Sequence, residues 1–196
     1  MNFIILGLSG CGKSTQAALL AKDLDLTHIS SGRLFRHELE KNTPLGISAF
    51  KNYWGKGKWV PTPIAFKLLK PELETALGHG FVLEGWPRTT GQAKLLDVFL
   101  SDKSQKIRLV FYLDTPDAIA LDRLRVRAEN DKAVTGKVRA DDSSLAIIQS
   151  RFNAYKETIS PIIKYYEERG ILSRVDNSQS TEAVNRLILG RVAESI

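Results

Sequence analysis

A glycine-rich stretch near the start of the chain holds the residues with the clearest capacity for chemistry. Residues 7–15 read Gly-Leu-Ser-Gly-Cys-Gly-Lys-Ser-Thr and match the pattern G-x-x-x-x-G-K-[ST]. An apolar run precedes them, and a helical pattern follows from Lys13. Between a strand and a helix, such glycines let backbone N–H groups converge, and the helix N-terminus adds partial positive charge. The stretch therefore predicts a phosphate-binding loop for a nucleoside triphosphate.

The side chains of this loop have separate predicted roles. Lys13 places an ammonium group near the β- and γ-phosphates, and the hydroxyl of Ser14 or Thr15 reaches Mg²⁺. The residues expected to contribute backbone groups are Gly10, Cys11 and Gly12. Since Cys11 is the only cysteine, the sequence supports neither an intrachain disulfide nor a cysteine zinc cluster, and we interpret it as a small loop residue. The alternative, a glycine-rich turn that binds nothing, is disfavoured by the complete pattern and its context.

Composition narrows the range of functions. With 196 residues, 43% hydrophobic and 26% charged, the chain suits one soluble domain with a substantial core. It has no apolar run of about twenty residues and no signal-peptide layout, so we expect a cytoplasmic protein that contacts no membrane. A net charge of +6 suits either a nucleic-acid surface or a site for small polyanions. The arginines are dispersed and no nucleic-acid-reading module is recognisable, which favours small phosphate-rich substrates.

Alternating apolar and helical patterns predict the fold. Short apolar runs are typical of strands buried in a parallel sheet, and they lie at residues 3–6, 26–30, 81–84, 108–114 and 171–175. Helical patterns lie at residues 13–24, 32–41, 45–55, 63–77, 89–100, 116–128, 145–169 and 181–194. This alternation predicts a doubly wound α/β fold.

Two interruptions of the alternation indicate smaller units. Residues 31–60 contain only helices between the second and third strands, which predicts a helical lobe above the sheet. The segment Glu129–Val138 is polar, contains a glycine and lies between two arginine-bearing helices. We interpret it as a candidate lid over a phosphate site, with an ordinary surface loop as the alternative.

Several charged residues lie where open α/β sheets bind ligands. Glu84 ends the third strand, and Arg88 follows the Gly-Trp-Pro turn after it. Arg123 and Arg127 are spaced i, i+4 and therefore share one helix face. The other arginines beside these loops are Arg36, Arg139 and Arg151. Phosphoryl transfer requires aligned reactants and neutralised charge. Because a guanidinium group binds two phosphate oxygens at once, these arginines favour a phosphoryl-transfer site.

Taken together, these motifs resemble those of adenylate kinase and its nucleoside monophosphate kinase relatives over nearly the whole chain. The matching stretches are 7–16, 28–32 with Arg36, 57–61, 84–88 with Gln92, 139–142, and the helix that carries Tyr155, Pro161, Tyr165 and Tyr166. The resemblance implies a P-loop NTPase fold with a five-stranded parallel sheet in the order 2-3-1-4-5. It also implies one kinase domain, with a core of residues 1–30, 61–126 and 140–196, an acceptor-binding lobe of residues 31–60, and a short lid of residues 127–139.

The resemblance further implies a reaction and a role for individual residues. ATP with Mg²⁺ binds the loop, and its γ-phosphoryl group passes to a nucleoside monophosphate. Arg123 packs on the base of ATP, and Glu84 orients the metal through a bound water. The residues implied to act on the transferred group are Lys13, Arg88, Arg127, Arg139 and Arg151. The residues implied to bind the acceptor are Ser31, Arg36, Gly85, Arg88 and Gln92.

Several positions depart from the family pattern. Ser14-Thr15 replaces the usual Gly-Thr, so either hydroxyl is a candidate Mg²⁺ ligand, and Ser9 replaces a proline. Glu84 replaces an aspartate and has a longer side chain, whereas Arg33 replaces an aspartate and adds positive charge beside the acceptor lobe.

The spacing before Arg151 is also longer than is usual in the family. An extra residue at Ser143 or Ser144 must precede the helix, because within the helix it would turn Arg151 by about 100° away from the functional face. We expect the neighbouring pair Asp141 and Asp142 to bind arginines of the lid rather than a metal.

The identity of the acceptor base remains open between two choices. Gln92 favours AMP, because its amide offers both a donor and an acceptor to adenine. Ser31 lies between the threonine of many AMP enzymes and the alanine of many pyrimidine enzymes. A UMP/CMP kinase is therefore one alternative, and a nucleotide-binding homologue with weak or no transfer is another. We expect a monomer.

Overall fold

A computed structural model of the chain describes residues 1–136, 139, 142 and 144–195. Five parallel strands form one sheet in the order β2-β3-β1-β4-β5. The strands are β1 (Asn2–Leu6), β2 (Thr27–Ser30), β3 (Phe81–Glu84), β4 (Leu109–Asp114) and β5 (Leu172–Asp176). The predicted strand order is confirmed, and each strand begins and ends within one residue of its predicted position.

Helices separate the strands as predicted. The described residues form α1 (Lys13–Asp23), α2 (Ser31–Glu40), α3 (Pro44–Asn52), α4 (Thr62–Ala76), α5 (Thr90–Ser101), α6 (Asp117–Thr135), α7 (Leu145–Glu167) and α8 (Thr181–Ser195), with a 3₁₀ turn at Trp54–Lys56. No described helix is both long enough and apolar enough to cross a membrane.

The centre of the sheet explains why its strands read as continuous apolar runs. Every residue of β1 and β3 is buried. Because neighbouring side chains point to opposite faces, complete burial requires helices on both faces of the sheet. The fixed register, with Ile5 beside Glu84 on β3 and beside Phe111 on β4, brings the carboxyl ends of the strands to one edge. Polar residues that follow the strands therefore meet at that edge.

The helical lobe between β2 and β3 depends on a close contact between its two helices. Thr43 caps α3, its hydroxyl oxygen accepting the backbone N–H of Gly46 at 3.0 Å. A Cβ atom on Gly46 would lie 2.3 Å from the carbonyl carbon of Glu38 on α2. The backbones of α2 and α3 thus approach more closely than any other side chain would allow.

The expectation of an irregular segment from Glu129 is wrong for its first seven residues, because α6 continues to Thr135. Arg125 bonds to Glu129 at 3.1 Å and so spans the predicted break. Polar composition is compatible with a solvated helix as well as with a loop, and composition alone does not distinguish them. The helix ends at Gly136, whose φ of +71° suits a glycine cap. Residues 137 and 138 lie outside the described part of the chain.

The contact between α2 and α3 yields a test of stability. Gly46→Ala is expected to lower the free energy of unfolding by about 1–3 kcal/mol, because the new methyl group forces the two backbones apart. Gly78→Ala is the matched control, since a Cβ there meets nothing within 4 Å. Urea denaturation of both variants measures the difference. Equal stability of the two variants would contradict the proposed close contact.

Candidate active site

The loop between β1 and α1 is shaped by glycines with left-handed backbone angles. Gly10 has a φ of +83°, and a Cβ on it would lie 2.3 Å from the carbonyl oxygen of Ala120 on α6. Gly12 has a φ of +92° and precedes α1 without a side-chain cap. The N–H groups of the first turn of α1 therefore have no capping side chain, which is the arrangement that binds anions at a helix N-terminus.

The Lys13 side chain folds back over this loop. It is only 7% exposed, and its Nζ donates to the carbonyl oxygen of Leu8 at 2.5 Å. Its Nζ also lies 3.8 Å from the Sγ of Cys11, which is fully buried. Burial lowers the pKa of the Lys13 ammonium group below its ordinary value. The ammonium group is thus held inside the loop by an acceptor that a phosphate oxygen can replace.

Glu84 is a buried acidic residue in the wall of the site. It lies 5% exposed at the end of β3, and its Oε1 accepts hydrogen bonds from the hydroxyls of Ser14, at 3.0 Å, and Ser30. Burial raises the pKa of Glu84, but the charge of Lys13 and the two serine hydrogen bonds outweigh that effect, so its pKa lies below the ordinary value. An ionised carboxylate beside a hydroxyl is the hard oxygen set that Mg²⁺ prefers, and these residues fit that ion.

The structure brings the predicted loop and the predicted arginines into one cleft of about 360 Å³. Its wall includes the loop residues Gly10, Cys11, Gly12, Lys13, Ser14 and Thr15, together with Glu84 and Gly85. The six arginines on the wall are Arg36, Arg88, Arg123, Arg127, Arg139 and Arg151. Such a concentration of positive charge around an anion-binding loop suits a polyphosphate.

Two of the cleft arginines converge on a buried aspartate. The side chain of Asp142 is fully buried, and it accepts Arg127 Nε at 3.0 Å and Arg151 Nη1 at 2.9 Å. Arg139 pairs with Asp131 of α6 at 2.9 Å. Asp142 therefore binds arginines as expected, whereas Asp141 lies outside the described residues. Ser144 caps α7, so the predicted extra residue precedes the helix and Arg151 faces the cleft.

A smaller cavity of about 90 Å³ adjoins the cleft on the side of the helical lobe. Its wall includes the predicted acceptor residues Ser31, Arg36, Gly85, Arg88 and Gln92, and also Phe35, Trp54, Trp59 and Val60. Gly85 has a φ of +81°, and a Cβ on it would lie 2.5 Å from the Oγ of Ser31. A side chain at this position would therefore collide with Ser31 in the wall of the smaller cavity.

Arg88 lies between the cleft and the smaller cavity, and three contacts fix its position. Its Nε donates to the carbonyl oxygen of Gly85 at 2.6 Å, and its backbone N–H donates to Gln92 Oε1 at 2.6 Å. Its guanidinium lies 4.7 Å from the centre of the Trp59 ring, within the range of cation–π attraction. The indole N–H of Trp59 donates to the carbonyl oxygen of Ala154 on α7 at 3.3 Å. Trp59 thus connects the wall of the cavity to α7.

Sequence reasoning missed the residues that follow β5. Asn177, Gln179 and Thr181 line the cleft beside the loop. Asn177 is 3% exposed, and its Nδ2 donates to the carbonyl oxygen of Cys11 and to Thr115 Oγ1. The rule that ligands bind beyond the carboxyl ends of parallel strands, which identified Glu84 after β3, applies equally to the segment after β5. The rule indicates the segment after β5 as a whole, but it does not single out Asn177 within that segment.

The fold and the cleft define a P-loop nucleotide-binding protein of the α/β class. Comparison with known proteins narrows this class. The family described as "Adenylate kinase" matches residues 5–171. The chain is 36% identical to an adenylate kinase of Micrococcus luteus over 97% of its own length and 90% of that protein. It is 34% identical to adenylate kinases of Clostridium tetani, over 94% of each chain, and of Bartonella tribocorum, over 97% and 98%. The chain belongs to the adenylate kinase family.

The buried Glu84 carboxylate predicts a pH dependence of stability. Because its pKa in the folded protein lies below the ordinary 4.5, ionised Glu84 stabilises the fold above that pH. This contribution is lost as the pH falls through the folded value. Glu84→Gln is therefore expected to lose less stability than the wild type on acidification below pH 4.5.

Urea denaturation at a series of pH values measures this effect, with the exposed Glu72→Gln as control. Parallel acid profiles for the wild type and Glu84→Gln would contradict the assignment of Glu84 as an ionised, hydrogen-bonded carboxylate.

Proposed function

We propose that this protein is a nucleoside monophosphate kinase that transfers the γ-phosphoryl group of ATP to AMP, so that ATP + AMP ⇌ 2 ADP. The observation that carries the proposal is the junction at Arg88 and Gly85, which lie on the walls of both cavities. A triphosphate on the loop and a monophosphate in the smaller cavity meet at this point. Membership of the adenylate kinase family supports the same reaction.

The donor side of the reaction uses the loop. Backbone N–H groups of residues 10–15 bind the phosphates, and Lys13 exchanges the carbonyl oxygen of Leu8 for a phosphate oxygen. Arg123 packs on the adenine of ATP. Ser14 and, through a bound water, Glu84 would hold Mg²⁺, which would supply positive charge to neutralise the phosphates. Ser14 is preferred over Thr15 because its hydroxyl contacts the carboxylate.

The transfer step depends on positioning and charge rather than on covalent catalysis. A loose transition state spreads negative charge over the oxygens of the transferred group. Lys13, Arg88, Arg127, Arg139 and Arg151 neutralise that charge. Residues 127–139 act as the lid, residues 31–60 as the acceptor lobe, and residues 1–30, 61–126 and 140–196 as the core. Closure excludes water, which otherwise competes with the acceptor.

The proposed acceptor is AMP rather than CMP or UMP. Arg36 and Arg88 bind the monophosphate, and Ser31 and Gln92 meet the base. The Oε1 of Gln92 accepts the backbone N–H of Arg88 at 2.6 Å, which fixes the amide group and leaves Nε2 to donate to an acceptor such as a ring nitrogen of adenine. Because this donor also suits the acceptors of cytosine and uracil, the choice of AMP is supported mainly by membership of the adenylate kinase family. We propose that a monomer is active with small nucleotides and without nucleic acid.

An assay of acceptors tests the function directly. Purified protein with ATP and Mg²⁺ is offered AMP, CMP, UMP or GMP in turn, and the nucleoside diphosphate product is measured. AMP is expected to give the highest kcat/KM. Preference for CMP or UMP would overturn the AMP assignment, and no product with any acceptor, despite ATP binding, would overturn the kinase proposal.

Arg88→Ala tests the placement of the acceptor site. Removing its guanidinium is expected to lower kcat/KM for AMP by about 100-fold or more, because charge on the transferred group loses a fixed counter-charge. Arg125→Ala is the matched control, since Arg125 is exposed on α6 and pairs with Asp122 and Glu129 outside the cleft. An Arg88→Ala enzyme with an unchanged rate would show that the acceptor lies elsewhere.

A further inference from the structure

The carbonyl group of Cys11 is one of the points where the rest of the core holds the loop. Cys11 is fully buried, so its carbonyl oxygen needs hydrogen-bond donors from the protein. Two side chains supply them. Asn177, which follows β5, donates through Nδ2, and Arg123 of α6 donates through Nη1 at 3.2 Å.

The Asn177 side chain is itself held in place. Its Nδ2 also donates to Thr115 Oγ1 at 2.8 Å, just after β4. Its backbone N–H donates to the carbonyl oxygen of Asp114 at 3.0 Å, and its own carbonyl oxygen accepts Arg123 Nη2 at 3.4 Å. The amide group is therefore anchored by β4 and β5, which are rigid elements of the sheet.

Nucleotide binding is expected to affect the two donors, Asn177 and Arg123, differently. Under the proposed function Arg123 packs on the base of ATP, and its guanidinium then serves the ligand as well as the loop. Asn177 is short, buried and tied to the sheet, so it keeps its bond to Cys11 throughout. A trans peptide group directs its C=O and N–H to opposite sides. A bond to the carbonyl of Cys11 thus fixes the direction of the N–H of Gly12.

We propose that Asn177 is a positioning residue for the phosphate-binding loop. It holds the carbonyl of Cys11 against the end of β5, and so keeps the N–H of Gly12 directed at the phosphates of ATP when Arg123 turns to the base. The inference rests on the proposed function for the site of ATP. It predicts an effect on the donor nucleotide alone, because the bonds of Asn177 all lie on the donor side of the cleft.

Asn177→Leu, which keeps the size of the side chain but removes its donors, tests the proposal. We expect both the Kd of Mg²⁺·ATP, measured by calorimetry, and the KM for ATP to rise about tenfold, as for the loss of one buried hydrogen bond. The KM for AMP is expected to stay within about twofold of the wild type. Asn177→Ala serves the same purpose if the leucine variant does not fold.

Asn185→Leu is the matched control, because it makes the same change on α8, where Asn185 bonds to the exposed Asp23 outside the cleft. A merely structural role for Asn177 would lower the free energy of unfolding in urea and leave ATP affinity unchanged, and that result would overturn the proposal. So would an equal loss of affinity for AMP. Wild-type protein that binds ATP but forms no diphosphate would overturn only the kinase function, since the Kd comparison still stands. Wild-type protein that binds no ATP would overturn both.

Discussion

The hydrogen bonds to the Glu84 carboxylate connect the three elements on which the site is built. Glu84 ends β3, Ser14 belongs to the first turn of α1, and Ser30 ends β2. A buried carboxylate is stable only when donors and positive charge compensate for its lost hydration. Two serine hydroxyls and the nearby Lys13 ammonium group provide that compensation. The need to satisfy one buried charge therefore joins the loop, through α1, to the strands β2 and β3.

The positive side chains of the cleft also need groups of opposite charge or hydrogen-bond acceptors to compensate them. Positive groups gathered in one place repel each other, and the chain holds several of them with its own acceptors. Asp142 binds Arg127 and Arg151, while the carbonyl of Leu8 binds Lys13. These internal acceptors orient the cations before any phosphate arrives. Under the proposed function, phosphate binding exchanges one acceptor for another, which costs less than ordering free side chains would.

Much of this arrangement follows from patterns that act locally. The apolar run of β1, the glycines of the loop and the helical pattern from Lys13 define the phosphate-binding unit without reference to the rest of the chain. The position of Glu84 after an apolar run places it at the binding edge of any parallel sheet. The end of α6 was predicted wrongly, because the polar residues after Ala128 suit a solvated helix and a loop equally. Asn177 was overlooked, because a single asparagine after a strand carries no spacing pattern of its own.

The sequence by itself determined the order of strands and helices, the phosphate-binding loop and the family resemblance, because these depend on residues close together in the chain or on motifs in a set order. The tertiary structure alone decided that Trp59 supports Arg88, that Asp142 joins Arg127 to Arg151, and that Asn177 meets the carbonyl of Cys11. These contacts join residues from separate elements, in one case 166 positions apart. Their partners are chosen by the register of the sheet and by burial, and neither leaves a signature in the neighbouring sequence.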